Sequence, residues 1–424
     1  MGTAYQLAGG VCNNRKRSSD AYGAKSEKNV CLISWRQLLD FISKGSDQKL
    51  RTLHRTLILA LVWTLTAVAI LPVVFKWPAP LAPAHRFLNL HIGFWYLVAA
   101  AICWSIYYKE RISLSRAQTL SLVFLIFLLT SIVNQVHLFN VDQSDYFRSM
   151  SNAAWQEALN DIVIQRSPVS APHSYRFLPN AIVRWMQLTG LDYGTARDLY
   201  RLIFGLLLFY AIYKYARLYT NQVGGILAMV FVAAVYPVSF ERYAGQLTDP
   251  MSHLSFALAF IFLGTGDFAY LLSTLVIGSL AKETVLAMTA FFVLFSRREK
   301  GYRWKASLLS LATLAAFFGV RFAVLHGGMS YLQVSGVPPD FIRSNWADST
   351  WPPLFLLTAC AFLPLLALGW KETPLLLKRQ IFFLLPVLFL SGLAFSWLHE
   401  TRNFMPLVFV SSVIGARYLV RNNR

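Results

Sequence analysis

The chain has 424 residues, of which 56% are hydrophobic and only 14% are charged. A soluble protein of this length carries about 25% charged residues, so the composition excludes an ordinary soluble enzyme. The net charge of +19 then indicates Lys and Arg in the cytoplasmic loops of a membrane protein rather than nucleic-acid binding.

Residues 1–54 are predicted to be a basic cytoplasmic tail. Within it, "ISWRQLLDFISKG" (Ile33–Gly45) has one apolar face, which predicts a helix on the inner membrane surface. The first apolar run begins near residue 56, too deep for a cleavable signal peptide. The four cysteines show no C-x-x-C spacing, so no metal or redox site is predicted.

Residues 55–424 are predicted to form an all-α, polytopic bundle of about twelve transmembrane helices. The apolar runs are close to the ~20 residues that cross a bilayer. Their centres lie near residues 66, 99, 128, 207, 232, 257, 274, 290, 315, 361, 389 and 412.

Basic loops set the predicted orientation. Lys and Arg concentrate in the tail, in Tyr108–Arg116, in Arg297–Lys305, in Lys371–Arg379 and at the C-terminus. Such loops remain in the cytoplasm. We therefore expect an integral protein of the inner or plasma membrane with both termini in the cytoplasm.

A long loop, residues 139–198, is expected on the opposite, outer side. The segments Tyr146–Ile164 and Arg176–Gly190 carry apolar stripes with Trp, which predicts two helices lying along the membrane interface. Pro179 is tolerated in a first helical turn, and Gly190 is expected to end the second helix.

Charged residues gather on the predicted outer side. Asp142 and Asp145 follow the third predicted span, one helical turn apart. Charges at membrane depth cost roughly 2.5–3.5 kcal/mol each, so those retained there are candidates for function. The other candidates are Arg176, Arg201, Arg242, Lys282, Glu283, Glu400 and Arg402. The alternatives are helix capping by Asp145 and a purely structural role for Lys282, Glu283, Glu400 and Arg402, which could pair with other charges and hold helices together.

These residue types suit group transfer from a phosphate. The carboxylate of Asp142 or Asp145 can take a proton from an acceptor hydroxyl, or hold a divalent cation in its place. Arg and Lys side chains can neutralise a phosphate leaving group. An apolar groove between spans can accept a lipid chain. No metal ligand set is predicted.

Five motifs carry a resemblance that covers roughly residues 141–406: "VDQSDYF", "PHSYRFLPNAI", "QLTDPMSHLSFAL", "LAKETVLA" and "HETRNFMPL". Together they resemble the GT-C superfamily of polytopic membrane glycosyltransferases. The resemblance implies a sugar donor on a polyprenyl phosphate and a site on the non-cytoplasmic side. Asp142 or Asp145 would match the family's acidic outer-loop residue, although that residue usually follows the first span. Looser matches are Lys282, Glu283 and Arg402.

Two further classes stay open. A transporter or flippase would use the same charges as a substrate or proton path, but the sequence shows no clear internal repeat. A membrane scaffold would leave the charges scattered, and polysaccharide polymerases or ligases would also use outer Arg and His residues. P-loop, H-E-x-x-H and G-x-S-x-G motifs do not occur, which argues against an ATP-driven pump, a zinc protease and a serine hydrolase. The partners expected are the lipid-linked donor and membrane lipids.

Overall fold

A computed structural model describes residues 98–99, 114–142, 153–165, 173–239, 246–297, 299–325, 338–348 and 351–420. In these residues all regular structure is helical and no strand occurs, which confirms the predicted all-α class. They all belong to the unit Lys49–Arg424. The predicted tail helix and the first predicted span lie outside the described residues.

The α-helices follow one another with short connections. They are α1 Arg116–Asp142, α2 Ala153–Ile164, α3 Phe177–Leu188, α4 Tyr193–Arg217, α5 Gln222–Ser239, α6 Thr248–Thr265, α7 Phe268–Ala281, α8 Leu286–Phe295, α9 Tyr302–Leu325, α10 Pro338–Ala347, α11 Trp351–Thr358, α12 Leu363–Gly369, α13 Leu375–Phe395 and α14 Met405–Val420. Single 3₁₀ turns lie at His173–Tyr175, Glu283–Val285, Trp370–Glu372 and Thr401–Phe404.

Four segments in the described part of the chain are long and apolar enough to cross a membrane. They are Tyr193–Arg217, Tyr302–Ala323, Leu375–Phe395 and Thr401–Val420. Shorter apolar helices occur at Arg116–Thr130, Gln222–Pro237, Phe268–Ala281 and Glu283–Phe295. The structure therefore supports a membrane protein, and the residues that it describes do not confirm the predicted number of about twelve spans.

The apolar segment centred near residue 361 is not one helix. The α-helix α11 ends at Thr358 and α12 begins at Leu363, with a turn between them. Pro364 stands at the start of α12. Because proline has no amide hydrogen and its ring clashes with the preceding turn, it favours a helix start over a helix interior.

Helices α5, α6 and α14 form the centre of the bundle. Helix α14 packs against α5, and α6 packs against both α4 and α7. Of the candidate span that contains α14, 89% is buried, against 17% for the span in α9. Leu311 and Phe322 on α9 are each 70% exposed. A contiguous apolar face of this kind suits contact with lipid.

The predicted loop helices are present as α2 and α3, with twelve residues each. At 1.5 Å per residue each is about 18 Å long, well short of a bilayer core. Gly190 follows α3 with φ of 97°, a left-handed conformation that ends the helix as expected. Asp192 then caps α4, since its Oδ1 accepts a hydrogen bond of 3.0 Å from the Thr195 amide.

Candidate functional site

A buried carboxylate joins three parts of the chain. Asp249 lies in the first turn of α6 and is fully buried. Its Oδ1 accepts a hydrogen bond of 2.9 Å from Lys282 Nζ, just after α7. Its Oδ2 accepts one of 3.0 Å from Arg402 Nη1, in the turn that precedes α14. Asp249 is thus shared between two cations.

Both cations reach a second acceptor. Lys282 Nζ donates to Asn403 Oδ1 over 2.7 Å, and Arg402 Nη2 donates to Glu400 Oε2 over 2.9 Å. Ser396 Oγ donates to the same Glu400 oxygen over 3.2 Å. We call the six residues that these bonds connect the Asp249 network: Asp249, Lys282, Ser396, Glu400, Arg402 and Asn403.

Close helix packing brings Lys282 to Asp249. At Gly278 on α7, a β-carbon would lie only 2.8 Å from the Ser255 β-carbon of α6. Any larger residue would push the two helices apart, because real β-carbons do not approach so closely. Glycine therefore allows α7 to end beside the first turn of α6.

Histidine 253 fixes the backbone beside Arg402. Its Nε2 lies 2.9 Å from the Arg402 carbonyl oxygen, which can only accept, so Nε2 carries the proton. The opposite nitrogen, Nδ1, then accepts a hydrogen bond of 3.4 Å from the Tyr236 hydroxyl. His253 is buried and lies one helical turn along α6 from Asp249.

A second ion pair stands beside the network. Arg176 binds Glu283 in bidentate fashion, with Nε 3.1 Å from Oε2 and Nη2 2.5 Å from Oε1. The two side chains are 12% and 21% exposed. The carbonyl of Arg176 accepts a hydrogen bond of 2.8 Å from Asn180 Nδ2 on α3. The pair ties the start of α3 to the turn Glu283–Val285.

A cavity of about 380 Å³ opens beside both groups. Its polar wall includes Arg176, Lys282, Glu283, Ser396, Glu400 and Asn403. Its apolar wall includes Leu286, Phe317, Phe318, Leu388 and Phe395. Arg321 also lines it, with its guanidinium 4.4 Å from the centre of the Tyr175 ring. The cavity is therefore lined by charged and by apolar side chains.

The surroundings set the charge of two groups near this wall. Burial of the His173 ring, together with the guanidinium groups of Arg176 and Arg402, lowers its pKa to about 4. Burial opposes ionisation of Glu400, but the charge and hydrogen bond of Arg402 together with the charges of Lys282 and His399 outweigh it, so the pKa of Glu400 is lowered. At neutral pH His173 is therefore uncharged and Glu400 is a carboxylate.

Several residues predicted from the sequence meet at the cavity, and others do not. Arg176, Lys282, Glu283 and Glu400 line it. Arg402 lies behind the wall, 2% exposed, in contact with Asp249 and Glu400. Arg201 does not line the cavity, and its Nη1 lies 3.7 Å from Asp198 Oδ1.

Of Asp142 and Asp145, the two carboxylates that follow the third predicted span, the structure describes only Asp142, and that residue only in part. Asp142 is the last residue of α1, and its side chain lies outside the described part of the structure. Asp145 and Arg242 lie outside the described residues altogether. From their shared outer side we predict that Asp142 and Asp145 open onto a cavity also lined by the Lys282–Glu283 segment and Arg402, and for the two carboxylates this stays a prediction.

The sequence reasoning did not select four residues as site residues: Asp249, Ser396, Asn403 and His173. A signal for Asp249 was present, since "QLTDPMSHLSFAL" places an acid at the start of an apolar helix, where a charge is costly. Ser396 and Asn403 carry no such signal, because a neutral polar residue beside a span end is common.

Among the described residues, no group of three or more His, Cys, Asp or Glu side chains is arranged to hold a metal ion. The neighbours of Glu283 and Glu400 are cations and amides rather than further carboxylates. The described part of the site is therefore built for ion pairing.

Comparison of the chain with protein-family models, with curated proteins and with solved structures finds no match in any of the three.

Proposed function

We propose that the chain is a polytopic membrane glycosyltransferase that moves a sugar from a polyprenyl-phosphate donor to an acceptor. The observation that supports this proposal is the cavity, whose lining includes ionic, aromatic and aliphatic side chains. Such a donor is itself an amphiphile, with a sugar phosphate at one end and a hydrocarbon chain at the other.

The size of the cavity suits the head of such a donor. Its volume of about 380 Å³ falls within the ~300–1,000 Å³ typical of small-molecule sites. It would hold the sugar phosphate and the first part of the chain. The rest of the lipid would then leave along exposed apolar faces such as that of α9, where Leu311 and Phe322 point outward.

The ionic wall supplies groups for the leaving phosphate. Lys282 and Arg176 line the cavity and each carries a positive charge held by an acidic partner. In the proposed reaction the acceptor hydroxyl attacks the anomeric carbon, the bond from that carbon to the phosphate oxygen breaks, and the phosphate leaves with the electron pair. The two cations stabilise the charge that grows on it.

We assign the base to Asp142, with Asp145 as the cap of the following helix or a ligand to a divalent cation. Glu400 supports this assignment indirectly. It accepts hydrogen bonds from Arg402 and Ser396, and its pKa is lowered, so it is a weak base. Asp142 ends α1 and belongs to the motif "VDQSDYF".

The proposal is tested with purified full-length protein in liposomes that contain a radiolabelled polyprenyl-phosphate sugar and an acceptor lipid. Asp142→Asn should reduce sugar transfer by about 10²–10⁴-fold. Asp267→Asn is the control, because Asp267 is an exposed carboxylate at the far end of α6. Full transfer by Asp142→Asn would contradict the assignment of the base. Movement of the label across the bilayer without transfer would favour the transporter or flippase.

A further inference from the structure

We infer that Asp249 is a positioning residue, which holds the polar wall of the cavity in place from behind. Asp249 is fully buried and is not one of the lining residues. It acts through Lys282, which does line the cavity, and through Arg402, which is flanked by the lining residues Glu400 and Asn403. The part of this inference that concerns activity rests on the proposed function.

The two ends of the carboxylate fix two different chain segments. One oxygen binds Lys282 at 2.9 Å and the other binds Arg402 at 3.0 Å. The first segment follows α7, and the second precedes α14. No backbone hydrogen bond is needed to hold these segments side by side, because a single buried carboxylate spans them.

The same helix holds the second segment at another point. His253 donates from Nε2 to the Arg402 carbonyl oxygen over 2.9 Å. The turn Thr401–Phe404 therefore meets α6 through both the side chain and the backbone of Arg402. Two contacts from one helix restrict the rotation of this turn as well as its distance from α6. Helix α6 therefore fixes the position of this part of the wall.

The charges explain why the wall depends on Asp249. Its removal would leave the buried cations of Lys282 and Arg402 next to each other with one counterion fewer. Arg402 would keep Glu400, and Lys282 would keep Asn403. Repulsion between the two cations would then displace Glu400 and Asn403. Because both residues line the cavity, its polar wall would shift while its side chains remain present.

A thiol reporter tests the position of the wall without reference to the activity. The reporter is Ser396→Cys in a full-length chain whose four native cysteines are replaced by serine. Ser396 contacts Glu400 at the cavity. Adding Asp249→Asn should raise the rate of labelling by a maleimide about tenfold, the effect of losing one hydrogen bond to a charged group. Adding Asp267→Asn should leave the rate unchanged.

A charge-restoring variant separates positioning from simple charge balance. Asp249→Asn with Lys282→Met removes one cation together with the acid. The thermal midpoint in detergent should return towards that of the parent, while labelling stays fast. Recovery of the parent labelling rate would overturn the positioning role. An unchanged labelling rate in Asp249→Asn would overturn it as well.

Two arms keep the result decisive. If Asp249→Asn fails to fold, Asp249→Glu retains the charge but shifts the carboxylate by one methylene. It should then give a normal midpoint with faster labelling, and labelling at the parent rate would refute positioning. If the unmodified chain transfers no sugar, the proposed function fails, and the labelling rates alone decide the role of Asp249.

Discussion

Removal of the Arg402 guanidinium tests the energy stored in the buried network. Arg402 is 2% exposed and binds both Asp249 and Glu400, at 3.0 and 2.9 Å. In Arg402→Met each carboxylate loses one partner inside the protein. Breaking a buried pair on one side costs about 3–5 kcal/mol. Because Lys282 still binds Asp249, we expect a loss near the lower end, about 3 kcal/mol.

The measurement is the free energy of unfolding of the purified protein in mixed micelles, titrated with a denaturing detergent. Arg417→Met, on the helix α14 that follows Arg402, is the matched control. Arg417 donates one hydrogen bond of 2.9 Å, from Nη1 to the neutral Tyr219 carbonyl, which is worth about 1.5 kcal/mol. Arg402→Lys keeps the charge and should lie between the two. A loss in Arg402→Met no greater than that in Arg417→Met would refute the reasoning.

Three further outcomes are expected. Single cysteines at positions 170 and 300 should differ in labelling from outside intact cells, with only position 170 marked, because basic loops stay in the cytoplasm; labelling of position 300 would reverse the orientation. Folding moves the pKa of His173 from 6.5 to about 4, so the unfolded chain binds more protons between these values and the free energy of unfolding should fall as the pH is lowered through this window. His173→Gln should flatten that fall. Asn345→Ala removes hydrogen bonds of 3.3, 3.1 and 2.9 Å to the carbonyls of residues 392, 393 and 396 and one of 2.8 Å from the amide of residue 398. The free energy of unfolding, measured by the same titration, should fall by about 3 kcal/mol. A fall below about 1 kcal/mol would contradict this account.

The sequence predicted the positions of the helices better than it predicted their lengths. Long apolar runs predicted where α4, α9, α13 and α14 lie in the chain, because about 20 apolar residues in a row leave few alternatives to a helix. Helix length was less predictable. The lengths of α7 and α8 follow from the buried turn around Lys282, where α7 stops and a 3₁₀ turn begins. Hydropathy averaged over a window does not register such a turn.

The site was predictable as a set of charges but not as a set of contacts. The distribution of basic loops predicts that Arg176, Lys282, Glu283 and Glu400 lie on one side of the membrane, and the structure brings these four to one cavity. The partners could not be read from the sequence. Arg176 and Glu283 are 107 residues apart, and only the packing of α3 beside the turn after α7 pairs them.

Asp249 shows why a central residue can escape notice. An acid in the first turn of a helix is ordinarily explained by the helix dipole or by capping. In α6 the residue before the helix makes no side-chain cap, and Asp249 instead binds two cations from distant segments. Its role depends on Lys282 and Arg402 being buried with it, which is a property of the packed bundle.

The spacing of the buried charges has a consequence for synthesis. Lys282 follows Asp249 by 33 residues and Arg402 follows it by 153. At about 5–20 residues per second, the lysine is made about 2–7 s after the acid and the arginine about 8–30 s after it. The α6–α7 hairpin can therefore enter the bilayer as one neutral pair. The last helix then arrives with Arg402 and a counterion of its own, because Glu400, its partner in the folded chain, lies two residues before it.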